Sequence, residues 1–234
     1  NSELLFTHAL RVYPDSGMAH LHLGNYYREQ NELEKSLAIY TQGIQRAPGY
    51  YKLFSNRGKV YFDQGQIDQA LQDYNQSLSL KPDYAIALAN RAAVFGMKEE
   101  WEKALDDATK ALEHDPDNTN ALSNRGIIYF QTGEYEKTIT DYQKYLEIIP
   151  GDPDIINTIG LCYARLGDYE NAIAAYNRSI QLNPGQGAYF MNRSLALNAS
   201  GNQAAALKDA QRAQQLGFNV NPGYINQLKQ QDNE

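Results

Sequence analysis

The sequence predicts an all-α protein built as a solenoid of antiparallel helix pairs, and three regularities lead to that prediction. Two stretches with the apolar spacing of helices recur in each repeating segment, for example at 19–30 and 33–46. A glycine or a polar residue separates the two stretches, and a proline follows the second. Six of the eight prolines are spaced 34 residues apart without insertion or deletion: Pro14, Pro48, Pro82, Pro116, Pro150 and Pro184. A fixed period of this length is typical of stacked helix–turn–helix units, each of which buries its apolar face against its neighbours.

The first element, residues 1–16, is predicted to be the second helix of an incomplete repeat. Phe6 and Ala9 occupy the aromatic and small positions of such a helix, and Pro14 fits the period. Its partner helix would precede Asn1, so we expect a longer parent protein and an uncovered apolar side on this helix. Six full repeats are then expected at 17–50, 51–84, 85–118, 119–152, 153–186 and 187–220, followed by a C-terminal capping helix within 221–234.

The turn inside each repeat is predicted from its fifteenth residue. This residue is Gly65, Gly133, Gly167 or Gly201 in four repeats, Asn31 in the first and Glu99 in the third. Glycine and asparagine tolerate the left-handed backbone at a helix end. The proline of each period then ends the second helix, because it lacks an N–H and crowds the preceding turn.

Small and aromatic residues recur in register, which predicts close helix packing. The eighth residue of each repeat is mostly small: Gly24, Gly58, Ala92, Gly126, Gly160 and Ser194. The twenty-fourth is aromatic or alanine: Tyr40, Tyr74, Ala108, Tyr142, Tyr176 and Ala210. A small residue opposite a large one, repeated at one spacing, lets two helices interdigitate.

These residues together resemble the tetratricopeptide repeat family over nearly the whole chain. The resemblance implies a right-handed superhelical solenoid of antiparallel helix pairs, in which the first helix of each pair lines a concave groove that binds proteins or peptides. The sixth repeat departs from the pattern, because Phe218 stands where the proline is expected and Pro222 comes four residues later. Asn221 and Pro222 are therefore interpreted as the start of the capping helix.

Composition excludes several classes of function. The net charge of −7 argues against a nucleic-acid partner, which needs a basic surface. The single cysteine, Cys162, excludes an internal disulfide and a cysteine-rich metal site. No apolar run approaches the roughly 18 residues of a membrane span, so direct insertion of this segment into a membrane is not expected. The compartment is left open between cytoplasm and periplasm, including as the soluble segment of a larger membrane protein.

Arginine and aspartate co-occur at fixed positions, which predicts structural ion pairs. Four repeats carry both an arginine as seventh residue and an aspartate as twenty-third, and the other two carry neither. We expect each arginine to face the aspartate of its own helix pair, because a half-buried guanidinium needs a partner. The alternative is an arginine row that binds acidic ligands. The expected pairs are Arg57–Asp73, Arg91–Asp107, Arg125–Asp141 and Arg193–Asp209.

The concave groove is where the family resemblance places the ligand. The sixth residue of each repeat points into it: His22, Asn56, Asn90, Asn124, Thr158 and Asn192. A carboxamide offers both a donor and an acceptor, so a row of them could hold an extended chain by its peptide units. The row is similar to the asparagine ladder of the repeat domain of O-linked N-acetylglucosamine transferase. The alternative is that these amides bond a neighbouring helix or cap a turn.

The rest of the groove wall changes character along the chain. Its first part carries Asn25, Arg28, Lys52 and Lys59, and the next part carries Ala89, Ala93, Met97, Ile127, Phe130 and Leu161. This order predicts a protein or peptide ligand with an acidic end and an apolar body. The family's carboxylate clamp for chaperone tails is not expected to work, because Leu21, Ile86 and Asn90 replace its basic residues.

No catalytic site, metal site or cofactor is predicted. His20 and His22 point to different faces of a helix, and no phosphate-binding loop or nucleophile elbow is present. The sequence therefore predicts a non-enzymatic scaffold that holds a partner segment in the concave groove. Two alternatives remain: the soluble repeat arm of a larger membrane-embedded glycosyltransferase-like enzyme, and a module that self-associates through its N-terminal helix.

Overall fold

A computed structural model describes residues 2–231, and across them the backbone is a succession of helices joined by short turns. No strand occurs in that range. The fourteen helices of this range are α1 Ser2–Val12, α2 Gly17–Glu29, α3 Leu33–Arg46, α4 Tyr51–Asp63, α5 Ile67–Leu80, α6 Ala85–Met97, α7 Trp101–His114, α8 Thr119–Thr132, α9 Tyr135–Ile148, α10 Pro153–Arg165, α11 Tyr169–Leu182, α12 Gly187–Ala199, α13 Gln203–Gln215 and α14 Pro222–Gln231.

The helices pack as consecutive antiparallel pairs within two compact units, Asn1–Ile128 and Tyr129–Glu234. In the first unit α2 pairs with α3, α4 with α5 and α6 with α7, and the first helices α2, α4 and α6 also lie side by side. In the second unit α10 pairs with α11 and α12 with α13, and α10 lies beside α12. The predicted all-α fold of stacked helix pairs is confirmed. The division into six repeats of equal length stays a prediction.

The turns between paired helices adopt the left-handed conformation that their sequences predict. Gly65 has a φ of 73°, and Asn31 and Glu99 reach the same region with φ of 59° and 58°. In each case the backbone N–H of the following residue bonds to a carbonyl in the last turn of the first helix; for example, the N–H of Glu32 donates to the Tyr27 carbonyl over 2.8 Å. This bond satisfies a carbonyl that the end of the helix would otherwise leave free.

Small residues allow the close approach of paired helices. A Cβ added at Gly24 would lie 2.2 Å from Cε1 of Tyr40, and one added at Gly160 would lie 2.6 Å from Cε1 of Tyr176. Both tyrosine rings are buried. The expected pairing of a small residue with a large one is therefore observed, and it fixes the distance between the first and second helix of a pair.

The two terminal helices differ in how well they are covered. On α1, Leu4 is 70% exposed and Leu5 is 64% exposed, as expected for a helix with one uncovered apolar side. On α14, by contrast, Ile225 and Leu228 are buried in a cluster with residues of α12 and α13. The Asn221 side chain accepts from the N–H of Gly223 over 2.8 Å, which supports the start of α14 where it was expected.

Candidate protein-binding surface

Three of the expected arginine–aspartate pairs are brought together by the structure. In each, Nε and Nη2 of the arginine donate to the two carboxylate oxygens of the aspartate, a bidentate geometry that gives strong hydrogen bonds. The paired distances are 2.8 and 2.8 Å for Arg57–Asp73, 2.7 and 2.8 Å for Arg91–Asp107, and 2.6 and 2.8 Å for Arg193–Asp209. The fourth pair, Arg125 with Asp141, stays a prediction.

The aspartates of these pairs are among the most buried charged groups of the described chain. The side chain of Asp73 is 5% exposed and that of Arg57 is 17% exposed. Burial raises the pKa of the Asp73 carboxyl above its ordinary value, and the hydrogen bonds from Arg57 limit that rise. Where a repeat lacks the pair, aliphatic side chains such as Leu23 and Ile159 are buried at the arginine position. The arginines are thus engaged within the fold and do not form a free row for acidic ligands.

Each of these arginines also makes a contact that was not predicted from the sequence. Its remaining terminal nitrogen, Nη1, donates to a side chain on the preceding helix pair. The acceptors are Thr41 for Arg57 over 3.0 Å, Asn75 for Arg91 over 2.8 Å and Asn177 for Arg193 over 2.5 Å. The signal was present in the sequence, because every acceptor lies 16 residues before its arginine and every aspartate lies 16 residues after it. Each guanidinium therefore connects two successive helix pairs.

In the first unit, the helices α2, α4, α6 and the first part of α8 form what we call the first-helix wall. The wall carries the predicted groove residues of α4, α6 and α8, which are Lys52, Asn56, Lys59, Asn90 and Asn124. The side-by-side contacts of α2 with α4 and of α4 with α6 make this surface continuous. A hydrogen bond from Nδ2 of Asn124 to the Ala89 carbonyl, 2.9 Å long, joins α8 to α6.

The asparagines of the predicted ladder do not share one environment. Nδ2 of Asn56 donates to the Lys52 carbonyl in its own helix over 2.8 Å. Nδ2 of Asn124 is used between helices, as above, and Asn90 has no hydrogen-bond partner within residues 2–231. The alternative in which these amides bond a neighbouring helix therefore applies to Asn124, while Asn90 remains available to a ligand.

The other predicted groove residues of α2 and α4 differ in whether their side chains already have a partner within the fold. Oδ1 of Asn25 accepts from the Tyr40 hydroxyl over 2.6 Å, and the His22 ring stacks on Phe6 of α1 with centroids 5.2 Å apart. Nζ of Lys59 is paired with Asp63 on the same helix, a surface pair of small energetic weight. Among the described residues, neither Arg28 nor Lys52 has an ion-pair partner.

The residues of the predicted apolar part of the wall differ in exposure, and their role in binding stays a prediction. Met97 is 62% exposed and Ile127 is 46% exposed, so both are available to a partner. Ala89 is buried within a cluster that includes Leu88 and Ala121, so it cannot contact a ligand and that expectation was wrong. The reason is the close packing of α8 on α6 at this point.

The second unit places its predicted residues on α10 and α12 and on the end of α8. Nδ2 of Asn192 donates to Oδ1 of Asn157 over 3.0 Å, and Oγ1 of Thr158 donates to the carbonyl of Asp154 in its own helix over 2.9 Å. Leu161 lines a pocket of about 270 Å³ that also includes Asn192. Phe130 packs edge-on against the ring of Tyr135 with centroids 5.8 Å apart.

The histidine and cysteine candidates for chemistry are part of the core. His20 is buried and its Nδ1 lies 2.9 Å from the Ser16 carbonyl oxygen. Burial raises the pKa of the Cys162 thiol to about 12, so the thiol stays protonated at neutral pH. No cluster of three or more potential metal ligands occurs in the part of the chain that the structure describes. In the same part, every helix is too short or too polar to cross a membrane.

Comparisons with known proteins agree with this architecture. Family models described as tetratricopeptide repeat match residues 2–51, 119–152 and 153–186, and one described as TPR repeat matches residues 58–99. No curated protein sequence is significantly similar to the chain.

Three solved structures show the same fold. A tetratricopeptide repeat protein from Parabacteroides merdae is 21% identical, with a TM-score of 0.62 over 99% of this chain and 91% of that one. MamA from Desulfovibrio magneticus is 16% identical, with a TM-score of 0.67 over 71% of this chain and 94% of that one. YrrB, described as a TPR protein with an unusual peptide-binding site, is 21% identical, with a TM-score of 0.62 over 83% of this chain and 97% of that one.

The fold and its continuous helical wall define a helical-repeat protein of the scaffold class, whose stacked pairs present an extended surface to other proteins. The chain belongs to the tetratricopeptide repeat family. Membership of this family indicates a protein-interaction scaffold, and the fold is typically non-catalytic. The comparisons give no support to the glycosyltransferase arm or to the self-association module.

Proposed function

We propose that the chain binds an extended segment of a partner protein along the first-helix wall of its first unit. The observation that carries this proposal is a combination on helices α6 and α8 of the wall, which carry exposed apolar side chains and a polar side chain that the fold leaves without a hydrogen bond. Met97 and Ile127 are exposed, and Asn90 has no partner within the described residues. An extended chain can use both, because its backbone needs donors and acceptors and its side chains need apolar contact.

Charge adds a direction to the proposed complex. Arg28 and Lys52 lie on α2 and α4 without ion-pair partners in the described chain, although the whole chain is acidic. Met97 lies on the later helix α6 and Ile127 on α8. A partner segment with an acidic end over α2 and α4 and an apolar body over α6 and α8 would match this order.

Selection from a library of displayed random peptides tests the proposal with the intact chain as bait. We expect peptides to be enriched by the wild-type chain and to lose at least about tenfold in affinity when Asn90→Ala is combined with Ile127→Glu, because this removes a hydrogen-bonding group and introduces a charge into an apolar contact.

The matched control replaces Gln69 and Gln76 by alanine. Both are exposed residues of the second helix α5, and the control chain should bind like the wild type. The proposal is contradicted if no peptide is enriched, or if the enriched peptides bind the wall variant and the control equally well.

A further inference from the structure

Two tyrosines at the same position of successive repeats differ in one respect. Tyr40 and Tyr74 are both fully buried, at 0% exposure. The hydroxyl of Tyr40 donates to Oδ1 of Asn25. The hydroxyl of Tyr74 is buried and has no hydrogen-bond partner in the described chain. A buried hydroxyl without a partner is unfavourable, so Tyr74 calls for a specific explanation.

The cause is a single residue difference on the first helix. The position that holds Asn25 in the first pair holds Lys59 in the second, and an ammonium group has no acceptor to offer a hydroxyl. Nζ of Lys59 instead donates to Oδ1 of Asp63 over 2.5 Å. The chain therefore keeps the tyrosine and removes its internal acceptor.

A pocket of about 170 Å³ opens beside this tyrosine on the first-helix wall. Its lining includes Tyr74, Lys59, Asn90, Asn120 and Ser123. Three of these side chains, Asn90, Asn120 and Ser123, make no hydrogen bond within residues 2–231. The volume of the pocket is close to that of about six water molecules at about 30 Å³ each, which is room for a short acidic side chain.

The charge of the lining favours an anion. The lining contains one cation, Lys59, and no acidic residue. Because Lys59 is paired with Asp63, which lies outside the lining, the preference for an anion rests mainly on the hydrogen-bond donors of the pocket. The lining offers possible donors in the Tyr74 and Ser123 hydroxyls and the carboxamide nitrogens of Asn90 and Asn120, and a carboxylate accepts up to about four such hydrogen bonds.

We propose that this pocket binds an aspartate or glutamate side chain of the partner segment, whose carboxylate accepts the hydrogen bond of the Tyr74 hydroxyl. The inference rests on the proposed peptide-binding function and adds to it one residue preference at one place. The pocket differs from the carboxylate clamp for chaperone tails, which requires basic side chains where this chain has Leu21, Ile86 and Asn90.

The first measurement uses a probe smaller than a peptide. The ¹⁵N-labelled full chain is titrated with N-acetyl-glutamate α-amide, and the side-chain amide signals of Asn90 and Asn120 are followed. We expect these signals to shift with the glutamate probe and to shift much less with the matched glutamine and leucine probes. Equal shifts with glutamine would overturn the choice of an acidic ligand, and the absence of any shift would overturn the pocket.

Two variants then test the role of the hydroxyl. Tyr74→Phe removes it, and Lys59→Asn supplies the internal acceptor that Asn25 supplies to Tyr40. Each should weaken the affinity for the glutamate probe by about tenfold, because a hydrogen bond to a charged group is lost. Unchanged affinity in Tyr74→Phe would mean that water alone satisfies the hydroxyl, and the proposal would fail.

Stability of the free chain supplies a matched control. Tyr74→Phe should leave the unfolding midpoint unchanged or raise it, whereas Tyr40→Phe should lower it because Asn25 loses its donor. Peptide selection separates this inference from the proposed function. Enriched peptides without a recurrent acidic residue would refute the pocket and leave the proposed function standing. Binding of the glutamate probe without any enriched peptide would refute the proposed function and leave the pocket standing.

Discussion

The buried pair Arg57–Asp73 offers a direct test of how the helix pairs are held together. The test compares the single variant Arg57→Leu with the double variant Arg57→Leu/Asp73→Ile. The double variant copies a solution that the chain already uses, because Leu23 and Ile39 occupy the same two positions in the first pair.

The expected magnitude follows from the burial of the aspartate. Removing Arg57 strands a carboxylate that is 5% exposed, which costs about 3–5 kcal/mol at pH 7. The carboxyl can avoid that cost by binding a proton, but protonating a group with an unfolded pKa near 3.9 costs about 4 kcal/mol at pH 7. Both routes give the same size of loss. The double variant should recover most of it, less the small contribution of the Thr41 hydrogen bond.

The loss should depend on pH in a defined direction. Burial already raises the pKa of Asp73, and without Arg57 nothing limits the rise. A folded pKa above the unfolded value favours the folded state at low pH and lowers its stability as pH rises. The deficit of the single variant relative to wild type should therefore shrink from pH 7 towards pH 5, by at most about 1.4 kcal/mol per pH unit.

Urea denaturation followed by circular dichroism measures these differences, provided that the slope of the transition is the same in all variants. The reasoning is refuted if the double variant is no more stable than the single one. It is also refuted if the deficit of the single variant is the same at pH 5 and pH 7.

Three further predictions concern other parts of the chain. Cys162 should react with iodoacetamide at pH 8 only in urea, because its thiol is buried and its pKa is about 12; rapid labelling of the native chain would contradict this. Glu99→Gly should stabilise the chain by about 0.5–1 kcal/mol in urea denaturation, because it relieves a φ of 58°. Lys98→Gly is the control: its φ is −87°, so this change should destabilise the chain in the same assay. Ser194→Ala should lower stability by about 1 kcal/mol and increase hydrogen exchange in α14, because its hydroxyl lies 3.0 Å from that of Tyr224; unchanged exchange would contradict that role.

The fold was predictable because its signals repeat. Three signals each recur at a fixed spacing: the proline, the turn residue between helices, and the small residue opposite the aromatic one. The prediction of the fold therefore does not depend on any single position. The left-handed turn at Glu99 illustrates this strength, since no propensity rule would place a glutamate there. Its position in the period predicted the turn, and the structure adds that the glutamate adopts the left-handed backbone there.

The candidate site was less predictable, because it depends on which hydrogen bonds the fold uses internally. Asn90 and Asn124 occupy equivalent positions, yet the Asn124 side chain donates to the Ala89 carbonyl and the Asn90 side chain makes no hydrogen bond in the described chain. The sequence contains the residue types but not the distances between adjacent first helices. The unpartnered hydroxyl of Tyr74 likewise becomes visible only when the contacts of Lys59 are known.

The guanidinium contacts to the preceding pair have a consequence for how the array comes apart. Arg57, Arg91 and Arg193 connect neighbouring helix pairs, because each donates a hydrogen bond to a side chain of the preceding pair. In α10 the same position holds Ile159, which has no group to reach the preceding helix α9. Stability in a repeat array is approximately a sum over such neighbours. Local unfolding in the second unit should therefore begin between α9 and α10 as well as at the end of the unit. A partner bound across α10 would stabilise this contact.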